Sequence, residues 1–433
     1  MTSLVLGIDL GTSGVRIAVL DRWHSIEYSD SVPYNIGLNS PDDWTQACST
    51  LIAGIPAEQR GRIRALAVDG TSGTLLACDS KGRAQGEALL YSEVCHGFEQ
   101  QLQKLVPKGG PASSSSGSLA RALQLTKLYG PTTLLRHQAD WINGWFLDDW
   151  TWGEEGNNLR LGWDLDHHSW PDGLTEPPWL TRLPIIRPSG SKLGTIATTR
   201  ARELGLPSDV QIVAGTTDSN AAVLATDPGD DDGITVLGTT LVMKRFTALP
   251  IHAPGITSHR VGGRWLCGGA SNAGAGVLRQ FFSDELLLEL SRQINPETNS
   301  GLAFRPLPRP GERFPVDDPF LMPILEPRPV SDALFLQGLL EGLAEIEAQG
   351  WITLTALGAK PPKRLISIGG GARNPQWRRI RERRLGIPVV TSRQQPAAGV
   401  GRLALAAIEE ARPSTEQDWR ASSARGHQSP KIS

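Results

Sequence analysis

Two short apolar runs open the chain, Leu4 to Ile8 and Val15 to Leu20, joined through Gly11-Thr12-Ser13-Gly14. β-rich runs separated by so short a glycine-bounded connection predict a hairpin. About half a chain later the pattern returns, with Ile234 to Leu237, a Gly238-Thr239-Thr240 turn, then Leu241 to Met243. The repeat predicts two lobes, each offering the same hairpin to one cleft. Further unbroken apolar runs predict strands over Ile63 to Val68, Thr74 to Cys78, Val210 to Ala214, Arg364 to Ile368 and Pro388 to Thr391. Helical spacing takes over between them. It predicts helices over Asp42 to Ile55, where Trp44, Ala47, Leu51 and Ile55 share a face, and over Ser92 to Val106, Ser118 to Tyr129, Asn220 to Ala225, Val277 to Phe282, Leu334 to Leu357, Pro375 to Arg384 and Ala397 to Glu410. The proline-rich stretch from Gly301 to Pro329 reads as irregular surface coil.

At 433 residues the chain exceeds one ordinary core, and Asp227-Pro228-Gly229-Asp230-Asp231-Asp232-Gly233 marks the division into residues 1–226 and 227–411. That acidic run lacks the spacing and closing glutamate of a calcium loop. The polar residues 412–433 read as a disordered tail. A net charge of -2 offers no basic field for nucleic acid or an anionic membrane. Cys48, Cys78, Cys95 and Cys267 are too dispersed for a zinc or redox motif and read as reduced core thiols. With no signal peptide and no run of the ~20 apolar residues that cross a bilayer, the pattern points to the cytoplasm.

The candidate chemistry lies at the strand ends. Gly11 and Gly14 let an anion reach the backbone, Thr12 and Ser13 add hydroxyl donors, and Asp9 stands beside them. A carboxylate next to a phosphate calls for a divalent cation between them, which suggests Mg-nucleotide chemistry. The alternative is an ordinary hairpin with Asp9 bonded to its own turn. Arg16 either neutralises phosphate or pairs with a surface carboxylate. Asp218, at a strand-to-helix junction, suits a base or an N-cap. Gly369-Gly370-Gly371-Ala372-Arg373-Asn374, between a strand and a helix, suits a nucleotide. The tryptophans clustered between Trp141 and Trp179 serve as core or lid residues, or stack on a sugar. A dehydrogenase is excluded, since no Gly-x-Gly-x-x-Gly follows the first strand.

In order, Asp9-x-Gly11-Thr12-x-x-x-Arg16, Gly215-x-x-Asp218-x-x-Ala221-Ala222, Gly238-Thr239-Thr240 and Gly369-Gly370-Gly371-Ala372-x-Asn374 resemble the motif series of the FGGY carbohydrate kinases. Ala67-Val68-Asp69-Gly70-Thr71-Ser72-Gly73-Thr74 and Gly268-Gly269-Ala270-Ser271-Asn272 are most similar to the xylulose-kinase-like branch of photosynthetic organisms, which is similar to D-ribulose kinases. The resemblance implies an α/β chain with the two-lobed actin-like ATPase (ribonuclease H-like) fold and a cleft between lobes. Residues 1–226 would bind sugar and phosphate, and 227–411 the nucleotide. It implies ATP and Mg2+ as cofactors, Asp218 as catalytic base and Asp9 as the metal's carboxylate. Sugar contacts would come from Asp9, Ser13, Gly14, Val15, Arg16, Ser72, Asp140 and Asp218, with Asp140 alternatively capping a helix that begins at Trp141. ATP would meet Gly11, Thr12, Ser13, Gly238, Thr239 and Thr240, with Gly370, Gly371, Ala372, Arg373 and Asn374 along the adenosine. Leu287 is either the adenine's apolar wall or a core position. Thr71-Ser72 stands where bacterial xylulose kinases carry Met-His and glycerol kinases Arg-Glu. The expected reaction is phosphorylation of a pentulose at its terminal hydroxyl, D-ribulose ahead of D-xylulose. A non-catalytic ATP or sugar sensor on the same fold is the alternative, and a homodimer is left open.

Overall fold

In a computed structural model, residues 3–409 are described. The expected last turn at Glu410 and the tail over 412–433 lie outside the described residues. Strands β1 (Leu4–Leu10) and β2 (Gly14–Leu20) form the expected hairpin, with Leu10 opposite Val15 and Asp9 opposite Arg16. To these are added β3 (Ile26–Pro33) and β4 (Ile63–Gly70). An accessory region follows, with the two-stranded pairs β5 (Leu75–Cys78) with β6 (Leu134–His137), and β7 (Trp152–Glu154) with β8 (Ile185–Arg187). Strands β9 (Lys192–Thr195) and β10 (Gln211–Thr217) complete a first sheet of order β3-β2-β1-β4-β10-β9.

The second sheet repeats this plan. It contains β11 (Asp232–Leu237), β12 (Leu241–Thr247), β13 (Ile256–Val261), β14 (Arg264–Ser271), β15 (Arg364–Ile368) and β16 (Val389–Thr391), in the order β13-β14-β12-β11-β15-β16. In each lobe an antiparallel hairpin lies beside two parallel strands, so the turns Gly11–Ser13 and Gly238–Thr240 occupy equivalent places.

Alternation along β1 explains how the first sheet is covered on both faces. Leu4, Leu6, Ile8 and Leu10 pack with Trp44, Leu51 and Ile142 of the helices Pro41–Gly54 and Gln138–Leu147. Val5, with Ala18, Ala65, Ala67 and Val213, meets Ala397, Ala398, Val400 and Ala404. Successive strand residues face opposite sides, so both sets are buried. The last helix, Pro396–Glu409, therefore returns to the first sheet although its sequence falls in the second half. Its approach depends on missing side chains: a Cβ on Gly7 would stand 1.8 Å from the Ala397 carbonyl oxygen, and one on Gly399 1.9 Å from that of Ala221.

Several expected elements are redrawn. The helix expected over Ser92 to Val106 is confined to Glu99–Leu105, behind Gly97 in a left-handed conformation. The one expected over Val277 to Phe282 becomes a single turn, Ala275–Leu278, followed by a separate helix Asp284–Gln293 whose first turn is capped by Ser283. Among the described residues, no helix is long and apolar enough to cross a membrane.

Candidate active site

The parallel strands β1, β4 and β10 end side by side, and each brings a carboxylate. Asp9 lies directly across from Asp69, Thr216 is next to Asp69 on the other flank, and Asp218 opens the helix Asp218–Ala225 just beyond β10. Asp9 and Asp69 are 2% and 0% exposed. Arg16 reaches back across the hairpin to Asp9, Nη1 to Oδ2 at 3.2 Å. Its partner is thus a buried site carboxylate, and Asp9 is held by Arg16 rather than by its own turn. The turn itself is closed by the Gly11 amide donating to the Gly14 carbonyl at 3.0 Å, which leaves Thr12 and Ser13 exposed at the tip.

Burial pushes the Asp9 carboxyl up, while Asp69 and Arg16 pull it down. Asp69 is driven well above the carboxylate range by burial and by the adjacent Asp9 and Asp218, and neither of its oxygens receives a hydrogen bond. Buried unpartnered carboxylate oxygens are costly. Among the described residues no three of His, Cys, Asp and Glu form a ready cation cage. The pair Asp9 and Asp69 nevertheless fits a divalent ion that takes its other ligands from phosphate and water. Because an amide at position 69 would donate to Asp9 in place of charge repulsion, Asp69→Asn is expected to raise the melting temperature and to weaken divalent-ion binding by about tenfold or more. Thermal melts alongside a calorimetric Mg2+ titration check both halves.

Asp218 is not the N-cap. Thr217 fills that role, its hydroxyl accepting from the Asn220 amide at 3.4 Å, and Asp218 Oδ1 accepts from the Ser219 amide at 2.7 Å. Burial lifts the Asp218 carboxyl to about 6, and Asp9 adds repulsion. The Ser219 and Ser72 amides and Lys244 oppose the rise. Lys244 comes from β12 in the other lobe. Its Nζ donates to Asn220 Oδ1 at 3.0 Å and to Ser219 Oγ at 3.2 Å, and burial lowers it to about 8. The second hairpin's strand thus touches the helix that presents Asp218.

Ser72 is half-buried, whereas neighbouring Thr71 is locked to Thr74 Oγ1 at 2.7 Å and Gln138 Oε1 at 2.8 Å. Asp140 is committed elsewhere. It is 1% exposed, its Oδ1 accepts from the Glu154 amide at 2.9 Å and its Oδ2 from Asn158 Nδ2 at 2.8 Å. Nor does it cap the helix, which begins at Gln138 behind His137, three residues before the expected start. Burial raises Asp140 to about 7.

On the second lobe a cavity of about 730 Å3 opens beside the Gly238 turn. Gly238, Thr239, Leu287, Gly370, Gly371, Arg373 and Asn374 line it, so Leu287 belongs to a cavity wall with Leu278 and Leu288. Thr240 and Ala372 do not line it: the Thr240 carbonyl accepts from the Gly238 amide, and Ala372 is buried. Asn374 caps the helix Pro375–Leu385 through Oδ1 while its Nδ2 donates to Ser291 at 2.8 Å. The glycines before Val277 pack on the turn, since a Cβ on Gly274 would lie 2.5 Å from the Thr239 carbonyl oxygen.

Sequence reasoning passed over Asp69 and Lys244. Asp69 carried a signal, because Asp69-Gly70-Thr71-Ser72 ends its strand much as Asp9 does, but Lys244 stands beside Arg245 after an apolar run with nothing to mark it.

Residues 233–410 match the FGGY family of carbohydrate kinases, C-terminal domain. Those residues form an FGGY carbohydrate-kinase C-terminal domain. With its relatives and fold, this supports a carbohydrate kinase, a phosphotransferase with an alcohol acceptor. The xylulose kinase of Lactococcus lactis is 22% identical over 442 residues, spanning 93% of this chain and 87% of the relative. A xyloylose kinase from Brucella ovis superposes with a TM-score of 0.78 at 18% identity, covering 95% of this chain and 92% of its own. A Plasmodium falciparum glycerol kinase solved with ADP gives 0.76 at 14% identity over 99% and 93%. The likeness to these two structures is one of fold, the two-lobed actin-like ATPase architecture.

Proposed function

We propose that this kinase uses Mg-ATP to phosphorylate the terminal hydroxyl of a pentulose, D-ribulose in preference to D-xylulose. The observation that carries the reading is Asp218: a carboxylate with a raised pKa at the mouth of the β1-β4-β10 carboxylate row, tied through Ser219 and Asn220 to the lobe that holds the 730 Å3 cavity.

In this reading the nucleotide occupies that cavity against Leu287, Gly370, Gly371, Arg373 and Asn374, with Ala372 supporting the wall. Its phosphates lie between the turns Gly11–Ser13 and Gly238–Thr240. Asp9 and Asp69 would hold the magnesium ion, which offsets charge on the phosphates when bound. Arg16 holds Asp9 in place. Asp218 accepts the proton of the sugar hydroxyl as its oxygen attacks the γ-phosphorus; the bond to the β-phosphate oxygen breaks and ADP leaves. Ser72, with Ser13, Gly14 and Val15, orients the sugar, and the Ser72 amide faces Asp218. The small Thr71-Ser72 pair supports D-ribulose, since bacterial xylulose kinases carry a bulkier Met-His there. The similarity to the Lactococcus lactis xylulose kinase favours D-xylulose.

ADP release coupled to a reporter enzyme, compared for D-ribulose, D-xylulose, L-ribulose and glycerol, decides the substrate. We expect the highest kcat/KM with D-ribulose. A higher value with another acceptor overturns that preference, and no sugar-dependent ADP with any of them overturns the pentulose reading. The base must be ionised to act, and its pKa in the folded chain is raised to about 6. Turnover should therefore be lost as pH falls through about 6 rather than through the ordinary carboxylate range near 4. A pH series of kcat/KM reads the position of that acid limb.

A further inference from the structure

A second cavity, of about 650 Å3, lies between the accessory region and the outer edge of the second sheet. It is distinct from the reaction site. Its floor includes Trp265 at the start of β14, opposite Thr247, whereas the Gly238 turn adjoins the other end of the strand, where Ser271 pairs with Leu241. Six residue steps along the strand separate the two ends, roughly 20 Å.

Three indoles wall the cavity. Trp163 and Trp170 come from the first half of the chain and meet edge-to-face, centroids 5.3 Å apart, while Trp265 comes from the second. Two of its three carboxylates are matched with imidazoles, Asp164 with His167 at 2.9 Å and Asp166 with His252 at 3.3 Å, and Asp172 is the third. The second of these pairs crosses between the lobes. The Trp163 indole N–H is buried without an acceptor.

We infer that this cavity is a second small-molecule site, taking a neutral sugar of one or two rings. Aromatic faces cover the apolar C–H faces of a sugar. Hydroxyl groups donate to the spare lone pairs of Asp164 and Asp166. An anion meets three carboxylates, and a cation meets two that imidazoles already partner. A sugar seated here touches both halves of the chain, so its binding is linked to their relative position.

The test is a tryptophan-fluorescence titration of the full chain with sucrose, trehalose, D-ribulose and D-xylulose, with choline and inorganic phosphate as comparison probes. At least one neutral sugar should give a saturable change that Asp218→Ala leaves intact. Trp265→Ala should weaken it by roughly tenfold or more, the scale for removing one Trp from a buried contact. Asp166→Ala, at an exposed position that does not endanger folding, should weaken it as well. Saturation by choline or phosphate instead of any sugar, no saturation by any probe, or affinities unaltered in both variants overturns the inference. The outcome is separable from the kinase reading. Trp265→Ala should keep its sugar-dependent ADP release, and failure of that release in the wild type would leave the fluorescence result standing.

Discussion

Asp218→Asn should lower kcat by about 10²- to 10⁴-fold, the usual contribution of a positioned general base, while leaving ATP affinity close to that of the wild type. The substitution is nearly isosteric, and the amide oxygen still accepts from the Ser219 amide that Asp218 bonds at 2.7 Å. What disappears is the capacity to take a proton. Burial and the repulsion of Asp9 hold this carboxyl up near 6, so ionising it carries a cost that an amide does not. The variant should accordingly be no less stable than the parent. Steady-state kinetics with the preferred sugar, together with calorimetric titration of ATP, separates the two effects. Turnover within about tenfold of the wild type would remove Asp218 from the base role, and a protein that keeps a sugar-dependent output without turnover would be a sensor. Loss of ATP binding together with turnover would instead mean that the residue serves the cleft's architecture.

What the residues disclosed in advance, and what they hid, follows from the kind of signal each element carries. The hairpins were legible because β1, β2, β11 and β12 are largely buried and each carries an apolar run beside a glycine-containing turn. Strand β3 was not: Ile26–Pro33 is an exposed edge written in Glu, Ser and Asp, and edge strands avoid the apolar runs that betray buried ones. The long helix expected from Leu334 is found as Asp332–Ala356, since Ser331 caps it and almost every turn is apolar. The site divides the same way. Asp9, Asp218 and the Gly370 region sit at strand-to-turn or strand-to-helix junctions, where small residues mark the place. Lys244 acquires its meaning only when β12 meets Asn220 from the other half of the chain, a contact spanning 24 positions that no local pattern encodes. The resemblance implied a sugar contact for Asp140, whereas the hydrogen bonds from the Glu154 amide and Asn158 hold it inside the fold, contacts no local pattern encodes.

Arg381→Met should destabilise the second lobe by about 3–5 kcal/mol, the cost of leaving one member of a buried ion pair without its partner. Arg381 and Glu347 are each 1% exposed, and their two-pronged contact is closed by Nε to Oε2 at 2.5 Å and Nη2 to Oε1 at 2.7 Å. The remaining capacity is spent locally: Thr235 Oγ1 donates to Glu347 Oε1 at 2.6 Å, and Arg381 Nη1 donates to Ser367 Oγ at 2.7 Å. Four elements are fastened in this way, the helices Asp332–Ala356 and Pro375–Leu385 with β11 and β15. Strands β11 and β15 lead into the Gly238 turn and the Gly370 run, so the pair lies beneath the cavity proposed for the nucleotide. Set against a typical total of about 5–15 kcal/mol, such a loss should appear in urea as a separate, earlier transition, and ATP should shift that transition back upward. Removing both charges, in Arg381→Met with Glu347→Leu, should recover most of the stability, because the cost of the single change is the stranded carboxylate and not the lost attraction. If the double variant unfolds as early as the single one, packing around Trp377 and Ile380 rather than the uncompensated charge sets the stability of this lobe.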